Sequence, residues 1–140
     1  MVHEESACHV LTMANEDYLE TIYRIVLEQG DVNDVRSVDI AERLRVSKAS
    51  VSKALTTLKD QGYVEQSRYG KVNLTAAGME YAELLWNCHR MIRAFLVKDL
   101  GVDEHTADKE ACLMEHAISR DTMAKWMKFL EEDGFRIEDE

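Results

Sequence analysis

No proline occurs among the 140 residues, and only six are glycine. Proline breaks helix interiors and glycine loosens them, so their scarcity favours helices over a loop-rich architecture. Long apolar runs are missing as well. None approaches the ~18 residues that span a bilayer, and no secretory leader pattern is present. A cytoplasmic chain with no membrane partner is expected. Cysteine is scarce and odd in number. Cys8, Cys88 and Cys112 cannot all pair internally, and free or metal-bound thiols suit a reducing compartment. Positive charge is in deficit, 17 basic side chains against 27 acidic ones, a net −10. As a sum this opposes a nucleic-acid partner, but a sum hides its distribution. Hydrophobic residues at 46% and charged ones at 31% exclude a disordered chain. The length suits one compact domain or two small ones sharing an interface. There is no internal repeat and no low-complexity segment.

Residues 1–12 show no clean period and read as a leader. Tyr18, Leu19, Ile22, Tyr23, Ile25 and Val26 form a helical stripe over Met13–Gln29, with Asn15 as expected cap and Gly30 as stop. A short helix follows over Ser37–Leu44, with Ser37 as cap and Ile40, Ala41 and Leu44 on one face. Ser47 caps a third helix, Lys48–Gln61, whose inner face is Val51, Ala54, Leu55 and Leu58. Tyr63–Ser67 and Lys71–Leu74 read as strands of a hairpin around Arg68-Tyr69-Gly70. Thr75, Asp103 and Ser119 then cap helices over Ala76–Asp99, Glu104–Ala117 and Arg120–Glu132.

Helix, three-residue turn, helix and hairpin over 37–74 is the order of a winged helix-turn-helix, with Val46 expected to be buried at the turn. The outer face of the third helix offers Ser47, Lys48, Ala49, Ser50, Ser52, Lys53, Thr56 and Lys59. Small hydroxyls and lysines suit a major groove, and Arg68 and Lys71 flank the hairpin tip. Residues 36–73 hold eight basic and four acidic side chains, +4, so the other residues sum to 9 − 23 = −14. The acidic excess therefore lies outside the candidate reading head. Solvated lysines on a protein-contact module are the plain alternative.

Outside that head, metal-ligand residue types recur at helical spacing. Asp17 and Glu20 are i, i+3 on the first helix. Cys112, Glu115 and His116 are i, i+3, i+4 on the penultimate one, and His89 lies on the long helix between. Oxygen-rich ligation with nitrogen suits Mn²⁺ or Fe²⁺, and a thiolate moves preference toward Fe²⁺, Co²⁺ or Zn²⁺. Each fragment alone is commonly a solvated face or a core residue. Together they form a site only if three helices converge.

Several stretches carry a resemblance. Asn15-Glu16-Asp17-Tyr18-Leu19-Glu20-Thr21-Ile22-Tyr23, Asp39-Ile40-Ala41-Glu42-Arg43-Leu44-x-Val46-Ser47, Leu74-Thr75-x-x-Gly78 and Glu110-Ala111-Cys112-x-x-Glu115-His116 resemble the diphtheria toxin repressor family. It comprises metal-activated bacterial transcription repressors, and the resemblance runs from about Met13 to Phe129. The short length resembles the manganese transport regulator branch, which lacks the extra C-terminal domain of the iron-responsive branch. By position, Asp17, Glu20, His89, Cys112, Glu115 and His116 match the family's metal ligands. Asp17 and Glu20 resemble the manganese branch and Cys112 the iron branch. Arg93 and Asp108 stand where the iron branch places an ancillary glutamate and histidine, which puts that second site in doubt. The cognate metal stays open between Mn²⁺ and Fe²⁺, with Co²⁺, Zn²⁺ or Cd²⁺ as further occupants in vitro.

The expected fold is mainly α, an N-terminal winged helix-turn-helix over 1–75 and an all-helical metal-binding and dimerisation domain over 76–140. The expected function is a metal-dependent repressor that binds double-stranded operator DNA as a homodimer and controls metal-homeostasis genes. No enzymatic role and no small-molecule substrate are expected. The DNA-contacting set is Ser47, Lys48, Ala49, Ser50, Ser52, Lys53, Arg68 and Lys71. Apolar side chains of the last three helices, among them Leu84, Leu85, Trp86, Ile92, Phe95, Met123, Trp126, Met127, Phe129 and Leu130, are candidates for the dimer contact. Cys88, about 100° around the helix from His89, reads as core. Cys8, His9 and His3 read as non-functional, and His105 as exposed. A metallohydrolase lacks a nucleophile or base assembly here. A repressor sensing an organic effector, and a metal-binding winged-helix interaction module, remain the alternatives.

Overall fold

The structure is a computed structural model that describes residues 11–30, 34–67 and 69–132. Among them are six helices and three strands. They fall into two compact units, one within Val10–Glu83 and one within Leu84–Glu140, with the boundary inside a long helix.

In the first unit, α1 (Met13–Gln29) starts one turn before the expected cap. Thr12 caps it, its hydroxyl accepting from the Asn15 N–H at 3.1 Å, so Asn15 is a donor and not the cap. Gly30 ends the helix at φ +83, a left-handed conformation that costs glycine little. Most of the expected stripe is inside: Leu19 and Ile22 are fully buried, with Tyr18, Tyr23 and Ile25 beside them, while Val26 is half-buried. Leu11, placed in the leader by its sequence, is buried as well.

A two-residue strand β1 (Val35–Arg36) precedes α2 (Ser37–Leu44). Its Val35 is fully buried. Arg36, not Ser37, stands at the cap position, and its N–H donates to Asp39 Oδ2 at 3.0 Å. Arg45, left-handed at φ 58, closes the helix, and the Val46 N–H reaches back to the Ala41 carbonyl at 3.1 Å. The turn is thus held by backbone, and Val46 is 37% exposed instead of buried.

Helix α3 (Lys48–Asp60) is capped by Ser47, whose hydroxyl accepts from the Ser50 N–H at 3.0 Å. Val51, Ala54, Leu55 and Leu58 are buried, as the period requires. Strands β2 (Val64–Gln66) and β3 (Lys71–Leu74) form the wing. The sheet order is β1-β3-β2, all antiparallel, with Val35 opposite Val72 and Val64 opposite Leu74. Thr75 joins wing to helix. It donates to the Gly62 carbonyl at 2.7 Å and accepts from the Gly78 N–H at 3.0 Å.

Helix α4 (Ala76–Lys98) begins in this unit. Its Tyr81 meets Tyr63 edge-to-face at 5.1 Å and donates to the buried Glu16 carboxylate of α1. The second unit holds the rest of α4, then α5 (Glu104–Ala117) and α6 (Arg120–Glu132). Asp103 and Ser119 cap them, accepting from the Thr106 and Thr122 N–H groups at 3.1 Å each. Leu85, Cys88, Ala94, Ala107, Ala111, Glu115 and Met123 are its buried residues of lowest exposure.

Candidate metal centre and nucleic-acid surface

Three of the expected ligands meet inside the helical unit. Glu115 on α5 is fully buried. His89 on α4 places Nδ1 2.7 Å from Glu115 Oε1, and His116 places Nε2 3.5 Å from Glu115 Oε2. Both imidazoles are buried. Cys112, half-buried and free of any disulfide, lies one turn before Glu115 on the same helix. A dehydrated carboxylate is costly unless positive charge meets it. A carboxylate with two imidazoles and a nearby thiol is a donor set suited to a first-row divalent ion, so the residues fit such a cofactor. Asp17 and Glu20 belong to the other unit, one turn apart on α1, with Asp17 half-buried and Glu20 buried.

One partner of His89, and that partner's own neighbour, are not what sequence spacing led to. Its Nε2 lies 2.9 Å from Asp108 Oδ1, and Arg93 Nε lies 3.6 Å from the same oxygen. Asp108 is 62% exposed at its side chain yet engaged on both sides. Spacing could not find it, because Asp108 meets His89 only when α4 and α5 pack. Cys88 is buried core and His105 is exposed, as expected. Cys8, His9 and His3 lie outside the described residues.

On α3, Ser47, Lys48, Ala49, Ser50, Ser52 and Lys53 are all exposed. Ser47 is doubly used, since it also donates to the Ser50 hydroxyl at 3.0 Å. Lys59 is turned to the wing, where its Nζ lies 3.4 Å from Gln66 Oε1. Lys71 is half-buried, its Nζ 3.4 Å from Asp34. Arg68 lies outside the described residues. Tyr69, 78% exposed at the hairpin tip, was not singled out from sequence, although an aromatic before Gly70 in a turn is a visible signal.

Of the apolar candidates on the last three helices, Leu85, Ile92 and Met123 are buried. Phe95 and Phe129 are 41% and 64% exposed. Cys88, Met91, Ile92 and Phe95 of α4 and Trp126, Met127 and Leu130 of α6 together line an apolar groove. No described helix is long and apolar enough to cross a membrane.

Residues 10–72 match the family model for the iron dependent repressor N-terminal DNA-binding domain. Residues 75–134 match that for the iron dependent repressor metal binding and dimerisation domain. A helix-turn-helix-type transcriptional regulator of Methanocaldococcus jannaschii is 34% identical over 121 residues, 86% of this chain and 95% of that one. The transcriptional regulator MntR of Salmonella typhimurium is 32% identical over 123 residues, 88% of this chain and 76% of its own. Among solved structures, a manganese-dependent transcriptional repressor in complex with manganese superposes with TM-score 0.71 at 31% identity. That match covers 89% of this chain and 55% of the other, so the chain spans about half the length of that repressor. A hypothetical protein of Sulfolobus solfataricus, 25% identical, is matched over its whole length and 92% of this chain with TM-score 0.64. With a DNA-binding half and a metal-binding half in the same order and a buried carboxylate–imidazole cluster in the second, the chain belongs to the iron-dependent, or diphtheria toxin, repressor family of metal-dependent transcriptional repressors, on its manganese transport regulator branch.

Proposed function

We propose that this repressor binds operator DNA as a homodimer only when a divalent ion, Mn²⁺ or Fe²⁺, is held by Asp17, Glu20, His89, Cys112, Glu115 and His116. The DNA-binding domain is 1–75 and the metal-binding and dimerisation domain 76–140. One observation carries this reading: Glu115, a fully buried carboxylate, sits between the imidazoles of His89 and His116. When bound, the ion supplies the positive charge this cluster calls for.

The chain's own residues do the rest. Asp17 and Glu20 stand on α1, in the unit that carries α3, while the other four ligands stand in the helical unit. Ligation from both units orders one with the other, and operator binding gains what that ordering would otherwise cost, a positive coupling. Lys48, Lys53 and the hydroxyls of Ser47, Ser50 and Ser52, with Ala49 allowing close approach, face the groove. Arg68 and Lys71 reach the backbone from the wing. The exposed Phe95 and Phe129 and the groove between α4 and α6 support dimerisation through the helical half. Genes of metal homeostasis are the targets that fit a repressor of this kind.

Relatives named for manganese favour Mn²⁺. The Cys112 thiol favours a softer ion, Fe²⁺, and in vitro Co²⁺, Zn²⁺ or Cd²⁺. Anaerobic operator binding titrated with Mn²⁺ and with Fe²⁺ tests the reading. Retardation of operator DNA should require the ion, and Cys112→Glu should move preference toward Mn²⁺. Operator affinity that no divalent ion alters, or metal binding that survives Glu20→Ala combined with His116→Ala, would overturn it.

A further inference from the structure

His89 is buried, and each of its ring nitrogens faces a different carboxylate: Nδ1 lies 2.7 Å from Glu115 Oε1, and Nε2 lies 2.9 Å from Asp108 Oδ1. Trp86 stacks on the imidazole at 5.5 Å between centroids and 10° between planes, which fixes the ring plane. The two carboxylates differ in kind. Glu115 is wholly buried and also borders His116, whereas Asp108 is 62% exposed and shares Oδ1 with the Arg93 guanidinium at 3.6 Å. A histidine that ligates a metal through one nitrogen donates its other N–H to an acceptor, and that acceptor fixes tautomer and orientation.

We propose that Asp108 is a positioning residue for His89: it accepts the Nε2–H, so that Nδ1 is the nitrogen turned to an ion beside Glu115, and Arg93 holds Asp108 in place. The proposal rests on the metal-centre reading above and assigns a role within it. The rival role for Asp108 is that of a ligand. Then Nε2, on the Asp108 side, would be the metal-bound nitrogen. The geometry opposes that role, because Asp108 Oδ1 is already shared by an imidazole nitrogen and a guanidinium. A cation placed there would meet the charge of Arg93.

The test uses the full chain, labelled with ¹⁵N-histidine and loaded with diamagnetic Cd²⁺, alongside Mn²⁺ affinity measured by competition with a fluorescent chelator. The ¹⁵N shifts and two-bond couplings of His89 should report a protonated Nε2 and a metal-bound Nδ1. Asp108→Ala should weaken Mn²⁺ binding about 10- to 100-fold. Asp108→Asn, whose amide oxygen still accepts, should recover most of it. Asp108→Ala should lower the unfolding midpoint of the metal-free protein only modestly, because Asp108 is largely exposed, and Asp108→Asn should leave it at the parent's value. A metal-bound Nε2, or an Asp108→Ala variant that binds Mn²⁺ as tightly as the parent, would overturn the proposal. If the unsubstituted protein takes up neither ion, the metal-centre reading fails before any substitution is made, and the proposal falls with it.

Discussion

At the scale of single residues, Gly78 shows how a motif residue acquires a physical reason. It is helical and buried, and a Cβ built on it would lie 2.0 Å from the Tyr63 carbonyl oxygen and 2.9 Å from the carbonyl carbon. Helix propensity alone argues that Gly78→Ala should gain up to ~1 kcal/mol. The clash is with backbone, which cannot swing aside as a side chain can. It also falls where Thr75 ties Gly62 to the start of α4. Overpacking should therefore win, and Gly78→Ala should cost about 3 kcal/mol. Urea unfolding of the metal-free protein checks this, and an unchanged or higher midpoint would show that Tyr63 yields freely. Leu74-Thr75-x-x-Gly78 thus joins wing to long helix at a spacing only glycine permits. Glu16 has a related anchoring role. It was one letter of a motif in the sequence, and in the structure its buried carboxylate takes the Tyr81 hydroxyl.

At the scale of elements, helix faces were legible because burial and period coincide. The inner faces of α1 and α3 are where the spacing put them. Termini were less legible. Asn15 and Ser37 are good capping types, but each lies a residue or more inside a helix that Thr12 and Arg36 begin. Strand β1 could not be found, since two residues carry no period, and Val35 gains its place only from pairing with Val72. The i, i+3, i+4 spacing marked residue types suited to a metal, and His89, Glu115 and His116 among them meet in the fold. The Asp108 and Arg93 contacts were not, because they join α4 to α5. One contact between elements makes a prediction. Arg43 of α2 donates through both terminal nitrogens to Glu28 of α1, with Nη1 at 3.0 Å from Oε1. That hydrogen bond, reinforced by the charges of Arg43 and Arg24 against a smaller burial penalty, holds the Glu28 carboxyl below its ordinary value of 4.5. A carboxyl lowered in the fold contributes stability above its unfolded value and loses it as the pH falls through the folded one. Both side chains are partly exposed, so Arg43→Ala should cost no more than ~1 kcal/mol at neutral pH. The difference should close as the pH drops well below 4.5. Paired denaturation curves across pH measure it, and a gap that persists in acid would mean Arg43 acts by packing instead.

At the scale of the whole chain, charge separates by segment. The net −10 resolves into +4 over residues 36–73 and −14 elsewhere, and the described cations of that segment are not equally available. Lys71 is paired with Asp34, Arg43 with Glu28, and Lys59 is hydrogen-bonded to Gln66, whereas Lys48 and Lys53 are exposed on α3. Affinity for duplex DNA falls with salt in proportion to the phosphates neutralised, with a slope near −0.9 per contact in log–log form. If Lys53 neutralises one phosphate, Lys53→Ala should flatten the slope by about 0.9. It should weaken operator and unrelated DNA by the same factor, since a phosphate contact carries no sequence information. Lys59→Ala should leave the slope nearly unchanged, because that ammonium is directed at the wing. Metal-loaded protein titrated onto operator and random duplexes at several salt concentrations distinguishes the two lysines. A Lys53→Ala slope equal to the parent's would place that side chain off the phosphates. A loss confined to the operator would make Lys53 a reader of bases instead. The acidic balance outside the segment then has a definite consequence: the nine cations elsewhere are outnumbered by 23 acidic side chains, so the slope should be set largely by α3 and the wing.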